Sequence, residues 1–92
     1  AGEVGYAVSK GAVQQATATL AEELMPRGIT VNCVNPGPTD TGYLAGVDPR
    51  EDMPLGRWGE PDDAARLISW LCTDHGRWVT GQTVNSEGGF LR

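Results

Sequence analysis

The first quarter of the chain shows a helical pattern of apolar positions. From about Gly5 to Met25 the sequence contains few helix breakers. At 100° per residue, one narrow stripe of this segment collects Tyr6, Val13, Leu20 and Leu24. The segment Pro26-Arg27-Gly28 predicts the end of the helix, because proline is tolerated after a helix C-terminus and glycine accepts a left-handed turn. The pattern therefore predicts one long amphipathic helix.

The rest of the chain alternates between strand-like and helix-like segments. Ile29 to Val34 is a run of mostly β-branched residues, which predicts a buried strand ending at Asn35-Pro36-Gly37-Pro38. Residues 42–59 are rich in glycine, proline and charge, and we interpret them as an irregular surface loop or lid. A second helix is predicted to begin at Glu60-Pro61, and a second strand is predicted within residues 78–85.

The order helix, strand, lid, helix, strand is typical of an alternating α/β fold. In such folds consecutive strands pair in parallel through a right-handed crossover. A parallel sheet needs helices on both faces, whereas 92 residues supply only two predicted helices and leave most of one face uncovered. The sequence therefore predicts an α/β fold that is incomplete on its own, so that either more chain exists or copies associate.

Composition and charge exclude several classes of partner. With 7 basic and 12 acidic side chains the net charge is −5, which repels phosphate backbones, so nucleic acid is not expected to bind. The longest nearly apolar run, Leu67 to Cys72, is far shorter than the roughly 20 residues of a spanning helix, so no membrane partner is expected. Cys33, Cys72 and one histidine cannot complete a zinc shell, and we predict no metal site. Both thiols are expected to be reduced and buried in a cytoplasmic protein.

Tyr6 and Lys10 stand four residues apart near the start of the first predicted helix. Both side chains therefore project from one face, about one turn apart. An ammonium group close to a phenol favours the phenolate, which makes the tyrosine a usable proton donor and acceptor. Lys10 is the only lysine in the chain, which argues against a coincidental spacing. The alternative is that Tyr6 is a core aromatic residue and Lys10 a solvated helix residue.

A proline- and glycine-rich loop, Asn35 to Thr41, follows the first predicted strand directly. In open α/β sheets ligands bind beyond the C-terminal ends of the strands, where helix N-termini also point, so we expect this loop near Tyr6 and Lys10. Gly37 lets a flat ligand approach the backbone, and threonine hydroxyls in the loop can bond to an amide or a phosphate. The alternative is an ordinary turn capped by Asp40.

Several ordered segments run along nearly the whole chain: Tyr6-Ala7-Val8-Ser9-Lys10, Ile29 to Asn32 with Asn35-Pro36-Gly37, Thr39-Asp40-Thr41, Pro54 to Ala65, and Thr80 to Gly89. Together they resemble the short-chain dehydrogenase/reductase family, in particular its 3-oxoacyl-reductase-like members. The first segment resembles the family's Y-x-x-S-K motif, and the second its I-x-V-N strand with the following P-G loop. The resemblance implies that residues 1–92 are the C-terminal fragment of a single doubly wound, Rossmann-type dehydrogenase domain.

The resemblance also implies a function. It is typical of NAD(P)-dependent oxidoreductases that interconvert a carbonyl and a secondary alcohol on a small molecule by hydride transfer. Tyr6 would be the general acid/base, and Lys10 would favour its ionised form and bind the hydroxyls of the nicotinamide ribose. The nicotinamide end of NAD or NADP would be held by four loop residues, Pro36, Gly37, Thr39 and Thr41.

Other parts of the family's machinery have no counterpart in these 92 residues. Among them are the glycine-rich dinucleotide turn and the serine that precedes the tyrosine. We therefore expect the parent protein to be the enzyme and the chain by itself to be inactive. In the family the first helix lies at a subunit interface, so a homo-oligomer is expected. The alternative is a non-catalytic interaction module that retains the family's C-terminal half for oligomerisation.

Overall fold

The computed structural model describes residues 2–40, 42 and 46–90. Its regular elements are the helices α1 (Gly2–Leu24) and α2 (Pro61–Leu71) and the strands β1 (Cys33–Asn35) and β2 (Thr83–Asn85). Short 3₁₀ helices lie at Met25–Arg27, Pro49–Glu51 and Asp74–Gly76. The two strands form a two-stranded parallel sheet. The prediction of a partial α/β fold is therefore confirmed.

Helix α1 begins three residues before the predicted start. Gly2 to Val4 contains no proline, and the acidic Glu3 in the first turn is favourable at the positive end of the helix dipole. At the other end Gly28 adopts a left-handed conformation, with φ of +71°, and its amide donates to the Met25 carbonyl oxygen over 2.9 Å. The predicted end at a proline and a glycine is thus observed.

The packed face of α1 is not the predicted apolar stripe. Thr17 and Ala21 are buried, with 7% and 3% of their surface exposed. Ala21 lies against a glycine turn, because its Cβ is 3.5 Å from the position that a Cβ on Gly81 would take. In contrast, three residues of the predicted stripe have about half or more of their surface exposed: Tyr6, Val13 and Leu20. Small residues make this contact because they allow close approach of two backbones, and small residues leave little trace in a hydrophobicity pattern.

The sheet is shorter than the sequence predicts. Strand β1 pairs with β2 in a register that joins Cys33 to Thr83 and Asn35 to Asn85. The predicted strand at Ile29 to Val34 therefore begins four residues late and extends one residue further, and the second is confined to the end of residues 78–85. The reason lies in the residues before the ladder, which bond through side chains.

Side chains make three of the four hydrogen bonds that join the two segments before Cys33. The Asn32 amide group donates to the Val79 carbonyl oxygen over 2.9 Å and accepts from the Gln82 amide over 3.1 Å. The amide of Val31 donates to the Thr80 hydroxyl over 3.1 Å, and its carbonyl accepts from Gly81 over 2.8 Å. The two segments are therefore held together without adopting regular strand geometry.

The two cysteines differ in their exposure to solvent. Cys33 is half-buried, whereas Cys72 is exposed, so the prediction that both thiols are buried is wrong for Cys72. This residue caps the C-terminal end of α2, where its side chain faces solvent.

Within residues 2–40, 42 and 46–90, no helix combines the length and the apolar character that a membrane crossing requires.

Candidate active site

Tyr6 and Lys10 lie one turn apart on α1, as their spacing predicts. The Lys10 Nζ is 5.7 Å from the centroid of the Tyr6 ring. The Tyr6 side chain is 65% exposed, and Lys10 is half-buried. Both residues line an open cavity of about 480 Å³. The pair therefore faces a space into which a small molecule can enter.

The end of β1 and the loop that follows it line the same cavity. Its lining includes Asn35, Pro36, Gly37 and Pro38. In a parallel α/β fold the C-terminal ends of the strands and the N-terminal ends of the helices lie at the same edge of the sheet. The start of α1 and the loop after β1 therefore meet here. The cavity volume lies within the usual range of small-molecule sites, about 300–1,000 Å³. Four of the residues singled out in the sequence, Tyr6, Lys10, Pro36 and Gly37, thus share one cavity.

The other two residues of the predicted nicotinamide site are Thr39 and Thr41. The lining of this cavity does not include Thr39, whose hydroxyl instead donates to the Gly37 carbonyl oxygen over 3.2 Å. That bond stabilises the loop from within. Thr41 lies outside the described residues.

The far end of the loop is attached to the residues that precede α2. The Gly59 amide donates to the Pro38 carbonyl oxygen over 3.0 Å, and the Asp40 amide donates to the Gly59 carbonyl oxygen over 2.7 Å. A Cβ on Gly59 would stand 3.0 Å from the same Pro38 oxygen. The Asp40 carboxylate accepts from the Gly42 amide over 2.9 Å, the cap that the alternative interpretation expects. The loop is thereby fixed to the lid segment.

A second, smaller cavity of about 220 Å³ is lined by Pro36 of the loop and by residues of the lid segment. The Arg57 guanidinium and the Asp63 carboxylate meet there through a 2.7 Å ion pair. This hydrogen bond and a second one from the Glu60 amide lower the pKa of Asp63 to about 2. Met53, which is 3% exposed, lines the same cavity and ties the described end of the lid to the segment after β2.

Three residues of the larger cavity were not anticipated from the sequence. They are Gln14, Glu87 and Phe90. Gln14 lies one turn after Lys10, so helical spacing was a usable signal. Glu87 and Phe90 follow the second strand, and the rule that ligands bind beyond strand C-termini applied to them as well.

The chain is similar to known oxidoreductases over its whole length. Residues 1–91 match a family model described as enoyl-(acyl carrier protein) reductase. The chain is 50% identical over 96 residues to the uncharacterised oxidoreductase YjdA of Bacillus subtilis (strain 168), covering 99% of this chain and 38% of that protein.

Two solved structures show the same likeness. The 3-oxoacyl-[acyl-carrier protein] reductase of Brucella melitensis ATCC 23457 is 39% identical with a TM-score of 0.82, over 91% of this chain and 34% of that one. A blue fluorescent protein from a metagenomic library, in complex with NADPH, is 39% identical with a TM-score of 0.83, over 95% and 37%. The chain thus spans little more than a third of the length of these proteins.

Proposed function

Because the chain belongs to the short-chain dehydrogenase/reductase family, we propose that it forms the C-terminal part of an enzyme that interconverts a carbonyl and a secondary alcohol with NAD or NADP. The observation that carries the proposal is the single cavity shared by Tyr6, Lys10, Pro36 and Gly37. A phenol, an ammonium group and a glycine backbone stand there at one edge of a parallel sheet. These are the groups that proton transfer beside a flat, hydroxyl-bearing cofactor requires.

The described residues fit the nicotinamide end of a dinucleotide. Lys10 offers three donors to ribose hydroxyls, and the Gly37 backbone lines the same cavity. When bound, the nicotinamide would supply or accept the hydride. Pro36, Gly37, Thr39 and Thr41 would hold that end, with Thr39 acting through its backbone because its hydroxyl is bonded to Gly37. The rest of the dinucleotide would contact parts of the enzyme other than this chain.

Tyr6 would move the proton in this mechanism. In the direction of reduction its hydroxyl donates a proton to the carbonyl oxygen, and in the reverse direction the phenolate accepts one from the alcohol. The Lys10 ammonium, 5.7 Å from the ring centroid, would stabilise the phenolate. The exposure of Tyr6 leaves its hydroxyl within reach of a substrate. We propose residues 42–59 as the lid over that substrate.

Because the chain supplies only part of such a site, we propose that it is inactive without the rest of the domain. We also propose that the enzyme is a homo-oligomer. Exposed apolar side chains on α1, where the family's subunit interface lies, support this proposal: Val4, Val8, Val13 and Leu20. Sedimentation of the full-length protein tests the oligomer, and an assay of the isolated chain tests its inactivity.

The central experiment is Tyr6→Phe in the full-length protein that carries this chain. Oxidation of NADH and NADPH is followed with a panel of small ketones and aldehydes, and dinucleotide affinity is measured by fluorescence. We expect kcat to fall by at least about 100-fold, the usual contribution of a general acid, with the dinucleotide Kd unchanged within about twofold. Thr19→Ala, which removes an exposed hydroxyl from the same helix outside the cavity lining, is the control and should retain the parental kcat.

Parental turnover by the Tyr6→Phe protein would contradict the acid/base role of Tyr6. If self-association changed at the same time, the non-catalytic interaction module would explain the chain better. A full-length protein that bound neither NADH nor NADPH would contradict the proposed function as a whole.

A further inference from the structure

Glu87 stands between the two cavities of the site. It follows β2 by two residues and is half-buried. It lines the larger cavity together with Tyr6 and Lys10 and the smaller cavity together with Arg57 and Asp63. Its side chain therefore lies beside the proposed nicotinamide loop, at the place where the two cavities adjoin.

Asn35 links the Glu87 carboxylate to the Gly37 peptide. The Asn35 Nδ2 donates to the Glu87 Oε2 over 3.3 Å, and the Asn35 Oδ1 accepts from the Gly37 amide over 3.4 Å. The same Nδ2 lies 3.3 Å from the Asn85 Oδ1. An ionised carboxylate only accepts hydrogen bonds, so it holds the nitrogen side of the Asn35 amide towards Glu87. The oxygen side is then directed at Gly37.

The stem of Glu87 also packs against Gly37. A Cβ on Gly37 would stand 3.0 Å from both the Cβ and the Cγ of Glu87. Gly37 has φ of +65°, a conformation that other residues rarely adopt. A polar link and a steric contact therefore act on one peptide, and both come from Glu87.

We propose that Glu87 is a positioning residue, which orients the Asn35 amide and thereby fixes the Gly37 peptide against the bound nicotinamide end. This inference rests on the proposed function. Because Glu87 acts through Asn35, its loss should weaken dinucleotide binding and leave proton transfer by Tyr6 largely intact. The expected signature is a change in cofactor Kd and KM with little change in kcat.

Two substitutions separate the hydrogen bond from the packing and the charge. Glu87→Met keeps a stem of similar length and removes the acceptor. Glu87→Gln keeps the stem and an acceptor oxygen but removes the charge. In the full-length protein, with whichever of NADH and NADPH it binds, we expect the Met variant to raise the Kd about tenfold, near the lower end of the effect of losing a hydrogen bond to a charged group, because Glu87 acts on the cofactor only through Asn35. The Gln variant should stay within about threefold.

A swap of partners tests the direction of the hydrogen bond. Asn35→Asp places an acceptor opposite Glu87 and should raise the Kd at least as much as Glu87→Met. Adding Glu87→Gln to Asn35→Asp restores a donor and an acceptor in reversed order, and the double variant should recover a Kd within about threefold of the parent. The thermal melting temperature of each variant shows whether it folds, and the double variant provides the measurement if Glu87→Met does not.

The outcomes separate the two proposals. If the full-length protein binds a dinucleotide and all four variants bind it equally well, the role of Glu87 is wrong and the proposed function stands. A Gln variant as weak as the Met variant, or an unrescued double variant, would also overturn the orienting role. A full-length protein that binds neither dinucleotide overturns the proposed function itself.

Discussion

The Arg57 guanidinium donates two parallel hydrogen bonds to the Asp63 carboxylate. The Nη1 is 2.7 Å from Oδ2, and the Nη2 is 3.1 Å from Oδ1. Asp63 Oδ2 also accepts from the Glu60 amide, 2.7 Å away, which satisfies one of the free donors at the start of α2. One carboxylate thus joins the end of the lid segment to the first turn of the helix.

Asp63 should make stability depend on pH in the acid range. Its pKa in the folded chain is about 2, below the ordinary value of 3.8, because Arg57 and the Glu60 amide favour the ionised form. A lowered folded-state pKa contributes stability that is fully present above pH of about 4 and is lost as the pH falls towards 2. Urea midpoints measured between pH 5 and pH 2 should fall less steeply for Asp63→Asn than for the parent. Asp62→Asn removes the same charge from the same helical turn and is the control. An equal effect of both variants would contradict the role of the Arg57 pair.

Lys10 should not be replaceable by arginine. Arginine keeps the charge but presents a planar fork instead of a compact ammonium with three rotating donors. The Lys10 Nζ lies 5.7 Å from the Tyr6 ring centroid, and the side chain is partly buried in the cavity wall. We therefore expect the larger guanidinium group not to take over the role of the ammonium group there. We expect Lys10→Arg to lower kcat/KM about 100-fold in the full-length protein, measured as dinucleotide oxidation with a ketone. Parental activity would show that the charge suffices.

Asn32 should contribute more to stability than its polar character suggests. Its side chain bonds to both Val79 and Gln82, in place of a strand ladder. Asn32→Ala leaves the partly buried Val79 carbonyl and the Gln82 amide without their partner, and we expect the free energy of unfolding to fall by about 2 kcal/mol. Gln82→Ala removes an exposed amide nearby, keeps the backbone bonds and should change stability by less than about 0.5 kcal/mol. Urea denaturation measures both, and equal losses would contradict this account.

Gly59 and Gly11 should respond in opposite ways to alanine. A Cβ at Gly59 would stand 3.0 Å from the Pro38 carbonyl oxygen, so Gly59→Ala must displace the loop, at about 1–3 kcal/mol. A Cβ at Gly11 meets nothing within 4 Å, and alanine is the better helix former there, so Gly11→Ala should stabilise the protein by about 0.5–1 kcal/mol. Thermal and urea unfolding give the two signs. A harmless Gly59→Ala would mean that the loop is not held at this point.

The sequence predicts those features that depend on local rules. Helical spacing brings Tyr6 and Lys10 to one face, and proline and glycine mark the end of α1 near Gly28. The edge rule for parallel sheets predicts that the loop after β1 lies beside that pair. Each of these inferences needs only neighbouring residues or a general property of α/β folds.

Features that depend on a specific contact between residues distant in the sequence could not be predicted. The buried face of α1 is set by Ala21 against Gly81, a contact between small residues that carries no hydrophobic signal. Strand β1 begins at Cys33 because the Asn32 side chain bonds across the sheet, which no propensity records. The support that Glu87 gives to Gly37 joins residues fifty positions apart.

The parallel register has a consequence for the order in which the protein assembles. Each helix forms from local contacts, which is a submicrosecond event, whereas Cys33 can pair with Thr83 only after a loop of fifty residues has closed. Asn35 and Gly37 take their support from residues 85–87, so during synthesis α1 is complete long before the loop that follows β1. A ribosome stalled between these segments would display Tyr6 and Lys10 without the other residues of their cavity, and the candidate site would acquire its shape in one of the last steps of folding.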